Sequence, residues 1–502
     1  MTQVIHLPIH LFRSKGGQMV EAGNGAIIDL VQNPDFSTIV LIKSTPNNEI
    51  IISTEVREVL NVQFISAEFK VLFDLQFKQK TYNFYLVFNS LRDMQTFIYE
   101  YVRCCFESQN KKGATVKDKD DLDRFVSYLS LDKPDETYPD EISFVPNDYV
   151  LHGDTDSGRN ALLRPFNNSR NAYVMRKYQN NSMLGLFTID QDCHLDKSLQ
   201  NIVDDKNRVI LADDMLNSNS DRSLLILDET RPQEIYNMDL SRGLVVSHFD
   251  SVDNYGVGNT VKKLMPTTPM NTDPTFLAIT DRNTLLFDPR ASNSIVDKSS
   301  YKTANHFTCG NTTRNGYVAL GSSDGIVRLY NGPCKSRATV NFLMNVGGEP
   351  VTSIDVSSDE QWVLATCPYY LCVFNVLAPS TGKLGFCNAM GKDKPALTRL
   401  ALESKDQQIL INEFNGVLPQ FSPAKFQEKN GRIDSIVAGI GSCLVSWDFR
   451  KIENGALPKY SIKFFGTEEI VDNDPLDATY SVMFMTNNSL SVIQRERSKR
   501  KK

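Results

Sequence analysis

The sequence predicts a mainly β protein whose larger part is a β-propeller of seven blades. The first observation is a strand pair that keeps returning, each pair split by a few turn-forming residues. The clearest pairs are LAITDRNTLLFDP (277–289), VALGSSDGIVRLYN (318–331), VLATCPYYLCVFN (363–375), IVAGIGSCLVSWDF (436–449) and VMFMTNNSLSVIQ (482–494). Two looser pairs, YVMRKYQNNSMLGLFTID (173–190) and SLLILDETRPQEIYNMD (223–239), precede them. The second observation is the spacing: start-to-start steps of 50, 54, 41, 45, 73 and 46 residues. Strand pairs at a period of roughly 40–50 residues mark a propeller, whose small sheets bury their faces by stacking around an axis. The 73-residue step holds TRLALE and QQILINEF, so an enlarged blade and a hidden eighth blade both remain open.

Residues 1–107 precede the repeats and read as short strands followed by one helix. The strand candidates are GQMVEAG, AIIDLV, STIVLIK, EIIIST, VLNVQFI, FKVLFDLQF and YNFYLVF, with turns at Gly23-Asn24-Gly25, Pro34 and Pro46-Asn47-Asn48. The helix begins at Asn89-Ser90 and carries one apolar stripe: Leu91, Met94, Phe97, Ile98, Tyr101, Val102 and Cys105. About seven strands capped by an amphipathic helix resemble the pleckstrin-homology (PH) superfold. Residues 108–141 are charged and poor in apolar residues, as a solvated linker is, with a short helix expected at LDRFVSYL. The repeats occupy 142–494, and 495–502 form a basic tail. The last hairpin ends at Gln494, so a four-stranded final blade lacks its outer strand, and ISFVPNDYV (142–150) is its natural donor.

The length of 502 residues suits two or three domains, and 41% hydrophobic content can fill a sizeable core. Net charge is −6, but the tail RERSKRKK carries +5 and the remainder −11, which argues against nucleic-acid binding over the main surface. No stretch reaches the ~20 apolar residues of a membrane span, and MTQVIHLPIHLFRSK lacks a secretory apolar core. Nine cysteines without a C-x-x-C pair point to reduced thiols in the cytosol or nucleus rather than to disulfides or zinc.

No catalytic, cofactor or metal set is predicted. GSSDG (Gly321–Gly325) fits the G-x-S-x-G nucleophile elbow, but that motif needs a strand before it and a helix after it. Here YVAL and IVRLY are both strands, so Asp324-Gly325 reads as a hairpin turn. None of the six histidines sits beside a candidate nucleophile at a recognisable spacing. Only Trp447-Asp448 matches the WD signature, so the hydrogen-bond relay of ordinary WD repeats cannot hold these blades and apolar packing must do more.

Two loops are candidate protein contacts. Asp288-Pro289-Arg290 ends a strand with opposite charges, either as a local ion pair or as a rim contact. Lys392, Asp393 and Lys394 form a basic loop in an acidic domain, suited to an acidic partner. The tail Lys499-Arg500-Lys501-Lys502 reads as a nuclear import signal, a contact for an anionic surface, or solvated charge. The first PH-like loop carries no basic residue, and only Arg13 and Lys15 lie near it, which favours a protein-interaction module over a phosphoinositide site.

Several phrases go beyond a generic propeller. NMDLSRGLVV (237–246), LLFDPR (285–290), NGYVALGSSDGIVRLY (315–330), GEPVTSIDVSSDEQWVLATC (348–367), MGKDKP (390–395), FSPAKF (421–426) and CLVSWDF (443–449) occur in this order. Over about 160–493 the chain closely resembles the vacuolar import and degradation protein 27 family, itself similar in this part to plant proteins of embryo and meristem development. The chain is shorter than the fungal members, and its linker is shorter and less acidic. The resemblance implies a cytoplasmic, non-catalytic, WD40-like propeller adaptor tied to cargo delivery for vacuolar degradation, with other proteins as partners. Two alternatives are a peripherally membrane-recruited adaptor whose PH-like part reads lipid, and an enzyme with a site in the propeller channel.

Overall fold

Seven antiparallel four-stranded sheets follow one another along the chain and close into a ring. The computed structural model describes residues 2–115, 118–119, 122, 126, 129, 144–150 and 158–495, except 16–17, 23–24, 46, 78–79, 167–170, 190–192, 200, 219–220, 253–257, 270–273, 302–303, 345–346, 430, 456–459, 466–467 and 477–480. Blades 1 to 6 span 159–199, 212–250, 261–300, 307–343, 353–400 and 425–464, each a meander whose strands are lettered a to d outward from the axis. Blade 7 takes strands a to c from 470–495 and its outer strand from Phe144–Val150, which pairs antiparallel from Ser489↔Val150 to Arg495↔Phe144. The donor strand expected from the front of the repeats is therefore in place.

The long step contains no eighth blade. Thr398–Leu400 of TRLALE belong to strand d of blade 5 (Leu397–Leu400), and QQILINE lies in a helix, Ser404–Glu413, inside the loop leading to blade 6. Periodicity alone could not separate these, because a short apolar run fits either element.

Apolar side chains alternate along each strand toward both faces, and each of the seven seams between blades holds its own buried cluster. At the closing seam Val174 and Phe187 of blade 1 pack with Met483, Met485 and Leu490 of blade 7. Arg176, 2% exposed, reinforces it by donating to the carbonyls of Gly158 (2.6 Å) and Asn487 (3.0 Å) and to Oδ1 of Asn160 (3.2 Å) and Asn488 (3.1 Å). Residues 363–367 on strand b of blade 5 are fully buried, as a blade covered on both faces requires. Trp362 at the mouth of that strand is only half-buried, its ring edge-on to Phe449 at 4.9 Å, whereas Trp447 is 1% exposed.

The N-terminal residues form one bent sheet in the order β5-β4-β3-β1-β8-β7-β6. These strands are β1 (Thr2–Lys15), β3 (Ala26–Gln32), β4 (Thr38–Ser44), β5 (Ile50–Glu55), β6 (Val59–Ile65), β7 (Lys70–Phe77) and β8 (Lys80–Phe88). Strand β2 (Gln18–Glu21) pairs with the far end of β1. The sequence reading missed β1, the central strand, because His6, Pro8 and His10 interrupt its apolar character; Ile5, Ile9 and Leu11 still point inward. Helix α1 (Leu91–Asn110) starts where expected, with Ser90 Oγ accepting the Asp93 N–H, and buries the stripe from Met94 to Cys105 against the sheet, whereas Leu91 in its first turn is exposed. The helix expected at LDRFVSYL lies mostly outside the described residues. Leu122, Val126 and Leu129 pack on this N-terminal core, and the Phe64 N–H donates to Leu129 O at 2.8 Å.

Candidate functional site

In a blade of four antiparallel strands the a–b and c–d loops emerge at one end, and the b–c loops and the connections to the next blade at the other. These ends give the disc two loop faces. The N-terminal unit sits on the second. Gln109 at the end of α1 donates to Asp324 O in the b–c turn of blade 4 at 2.9 Å. The Thr81 N–H donates to Gly416 O at 2.6 Å, and Thr81 Oγ1 accepts the Leu418 N–H at 3.2 Å, both in the blade 5–6 connection. Leu343, at the end of strand d in blade 4, packs on the N-terminal core.

Arg399 on strand d of blade 5 is the polar centre of this contact. It donates to Val62 O at 3.1 Å and Asn61 Oδ1 at 3.4 Å, and its guanidinium lies 4.2 Å over the Tyr370 ring. Two carboxyls face it. Asp74, held by the Asn61 (2.8 Å) and Asn83 (2.6 Å) amides, is pushed by burial up to about 6, against the pull of those amides and of Arg399. Burial also raises Glu349, opposed by Arg399 and by the Tyr370 hydroxyl.

The inner strands carry a second polar arrangement around the axis. Asp214 of blade 2 takes Arg164 of blade 1 (3.0 Å) and Lys263 of blade 3 (2.7 Å) on one oxygen and the Leu264 N–H (2.8 Å) on the other. Asn311 of blade 4 donates to Asp355 of blade 5 (3.2 Å), which accepts the Phe426 N–H of blade 6 (2.8 Å). Arg164 also approaches Asp472 of blade 7 at 3.8 Å. Burial pushes Asp474 up to about 7, opposed by Lys425, while Asp472 and Asp355 add to the rise. Burial acts to depress Lys425, but Asp355, Asp474 and Asp472 outweigh it and hold its pKa raised. A shifted carboxylate pair is a mark an enzyme channel would carry. Here Asp472 and Asp474 are faced by Lys425 and Arg164, and these groups tie neighbouring blades together. Among the described residues no group of three His, Cys, Asp or Glu could hold a metal ion.

The expected contact residues lie on the other face. Asp288 and Arg290, in the c–d loop of blade 3, form a two-pronged local pair (2.9 and 3.0 Å), which holds the Asp288 carboxyl below its usual range. In the c–d loop of blade 5, Lys392 is exposed. Asp393 accepts the Ser380 N–H and hydroxyl, and Lys394 is half-buried, donating to Asn341 O of blade 4 at 2.9 Å. The structure thus separates Asp288 and Arg290 from the Lys392 loop by the whole of blade 4. Gly325, at φ +75°, closes the blade 4 turn, and Ser322 Oγ is tied to Asp324, Ile326 O and Arg328, so GSSDG is a hairpin. The basic tail, Lys499 to Lys502, lies outside the described residues. Neither Arg399 nor the charges of the inner strands were singled out from sequence. The available signal was a charge set inside short apolar runs, as in NALLRP, VKKLMP and SIDV.

The fold defines a seven-bladed propeller with a β-rich unit seated on one loop face. Residues 159–502 match the VID27 C-terminal WD40-like domain, and the chain belongs to that family. It is 27% identical over 320 residues to vacuolar import and degradation protein 27 of Schizosaccharomyces pombe, covering 61% of this chain and 38% of that protein. With the Saccharomyces cerevisiae protein of the same name it shares 25% identity over 358 residues, covering 67% of this chain and 44% of that protein. The matched part thus spans about two fifths of those relatives' length. Among solved structures, the C-terminal WD40 domain of Sif2 aligns at a TM-score of 0.46 and 10% identity, covering 69% of this chain and 84% of that one. The propeller and the family support a scaffold role. No helix among the described residues is long and apolar enough to cross a membrane.

Proposed function

We propose that this protein is a non-catalytic adaptor of the cytoplasm, acting in cargo delivery for degradation or trafficking as the names of its relatives suggest. In this reading 1–107 are a PH-like domain, 108–141 a linker, 142–494 the propeller and 495–502 a basic tail. The order β5-β4-β3-β1-β8-β7-β6 with α1 at the end of the chain segment supports the PH-like reading. One observation carries the adaptor proposal: the N-terminal unit occupies one loop face over blades 4 and 5 and the connection to blade 6, leaving the opposite loops to hold other proteins. Its mechanism is simultaneous occupancy, in which one rigid disc raises the effective concentration of its partners for each other.

The test is quantitative proximity labelling with the intact chain, compared with a version carrying Thr81→Ala and Arg399→Ala to loosen the N-terminal unit. Recovery of a shared partner set by both, with additions in the loosened version, supports the adaptor. Labelling that never exceeds an inert control protein would overturn it. A lipid-reading role is less favoured, because Arg13 stacks on the Tyr82 ring at 4.5 Å and Lys43 is paired with Asp29 at 2.8 Å. Flotation of the intact chain with phosphoinositide-containing vesicles separates the two readings.

A further inference from the structure

The described parts of the c–d loops of blades 4, 5 and 6 (331–339, 376–396 and 449–455) contain seven basic and two acidic residues, a net of +5 in a chain whose total is −6. Lys335, Arg337, Lys383, Lys392 and Arg450 are exposed. Asp393 accepts from Ser380, and Arg450 lies 3.6 Å from Asp448 at the end of strand c, so Lys335, Arg337, Lys383 and Lys392 carry most of the exposed charge. The loops belong to three consecutive blades and emerge on one face, so their charges share one side of the disc.

The blade 5 loop is long for a c–d connection and is nonetheless built. Val376, Ala378, Phe386 and Met390 are buried, and Phe386 stacks on Tyr317 of blade 4 at 5.5 Å. Thr339 Oγ1 of the blade 4 loop donates to Gly385 O at 2.6 Å, so the two loops brace each other. Trp362 against Phe449 joins the start of the blade 6 loop to blade 5. Lys383 follows one exposed tip at Thr381-Gly382, and Lys392 follows another at Gly391, whose φ of +56° sets the turn. Long loops in compact domains are uncommon and usually functional, and this one presents cations from an apolar anchor.

We propose that this basic arc is a docking site for an acidic, Asp/Glu-rich segment of another protein. The choice rests on charge complementarity and on what the arc does not expose. Membrane docking calls for protruding apolar side chains, and none of the large exposed apolar residues among the described ones lies in these loops. Single-stranded nucleic acid calls for open aromatic faces, and the exposed Phe69 and Phe464 lie elsewhere. An acidic peptide needs only spaced cations on a stable backbone, and the arc supplies them opposite the face taken by the N-terminal unit.

The inference rests on the adaptor reading and adds to it the site and the chemistry of the partner. The test uses the full chain and a fluorescein-labelled 12-residue Glu/Asp peptide, followed by anisotropy at low and physiological salt. Lys335→Glu/Lys383→Glu/Lys392→Glu should weaken binding at least about tenfold and flatten its salt dependence. Lys298→Glu, on the outer strand of blade 3, should leave both unchanged. If the triple reversal fails to fold, Lys383→Gln/Lys392→Gln replaces it, with an expected loss of about threefold. Equal affinity of wild type and reversal overturns the arc, as does arc-dependent binding of phosphatidylserine vesicles or of a 12-nucleotide RNA without binding of the peptide. Loss of peptide binding with unchanged proximity partners overturns the arc alone, whereas a wild type without proximity partners overturns the adaptor.

Discussion

Replacing Arg399 by Ala should loosen the N-terminal unit from the propeller, and more so at neutral than at acidic pH. The substitution removes the 3.1 Å bond to Val62 O, the weaker 3.4 Å bond to Asn61 Oδ1 and the stacking on Tyr370. It also takes the nearest cation from Asp74 and Glu349. A hydrogen bond to a charged group contributes about 1.5–3 kcal/mol and a desolvated cation–π contact about 1–2. These terms overlap, so the expected loss is about 3 kcal/mol at pH 7.5, within the range for breaking a buried charge pairing.

The pH dependence follows from the raised carboxyls. A group with a folded pKa of about 6 and a reference value of 3.8 stabilises the fold fully below the reference value. That contribution is lost as pH rises through about 6, because the folded state must then hold a buried charge. Arg399 pulls both carboxyls down, so its removal raises them further and enlarges the cost of charging at pH 7.5. At pH 5 most of Asp74 is already neutral, and the variant's deficit shrinks toward the hydrogen-bond and stacking part. Urea unfolding of the intact chain at pH 5.0 and 7.5, with limited proteolysis of the N-terminal unit in parallel, measures both quantities. A loss below about 1 kcal/mol at pH 7.5, or the same loss at both pH values, would refute the reasoning.

Three further outcomes are expected. Deleting 142–150 from the intact chain should lower the melting temperature clearly in calorimetry, because strand c of blade 7 loses its pairing from Ser489 to Arg495; an unchanged melt counts against the seam. Trp447→Ala should cost about 3–5 kcal/mol in urea unfolding, and half-buried Trp362→Ala less, at about 2, so the reverse order would be inconsistent with the packing of blades 5 and 6. Asp214→Asn should destabilise by about 3 kcal/mol, since the one carboxylate shared by Arg164 and Lys263 loses its charge; a Leu216→Ala control, removing only apolar packing, should not show the same dependence on salt.

The blades were legible because strands b and c are apolar on both faces and are joined by short turns, which gives a strong local signal in each repeat. Strand a was harder to read. In NALLRP and VKKLMP a cation interrupts a short run, and that cation turns out to meet Asp214 on a neighbouring blade. The partner lies about fifty residues away in the chain, so no local window contains both. The same limit hid Arg399, whose contacts Asn61 and Val62 lie more than three hundred residues earlier. Strand β1 was lost for a different reason: its outward positions His6, Pro8 and His10 look like a loop until β3 and β8 are placed on either side. The degree of burial of Trp362, just before the pair 363–375, has no local signal, because it depends on Phe449 of the next blade.

The absence of the WD relay leads to a structural consequence. An ordinary relay ties strands within a blade, and this chain lacks the histidines for it. Its polar links instead run between blades, from Arg164 to Asp214 to Lys263, and from Asn311 to Asp355. Each link therefore resists the separation of neighbours, together with the apolar cluster at the same seam. A disc held this way keeps the spacing of its loops fixed from blade to blade. That is the property the adaptor needs: the N-terminal unit grips blades 4 and 5 and the connection to blade 6 on one face, and the basic loops of blades 4 to 6 project from the other. An acidic partner seated on those loops would then stand at a fixed distance from whatever the N-terminal unit holds.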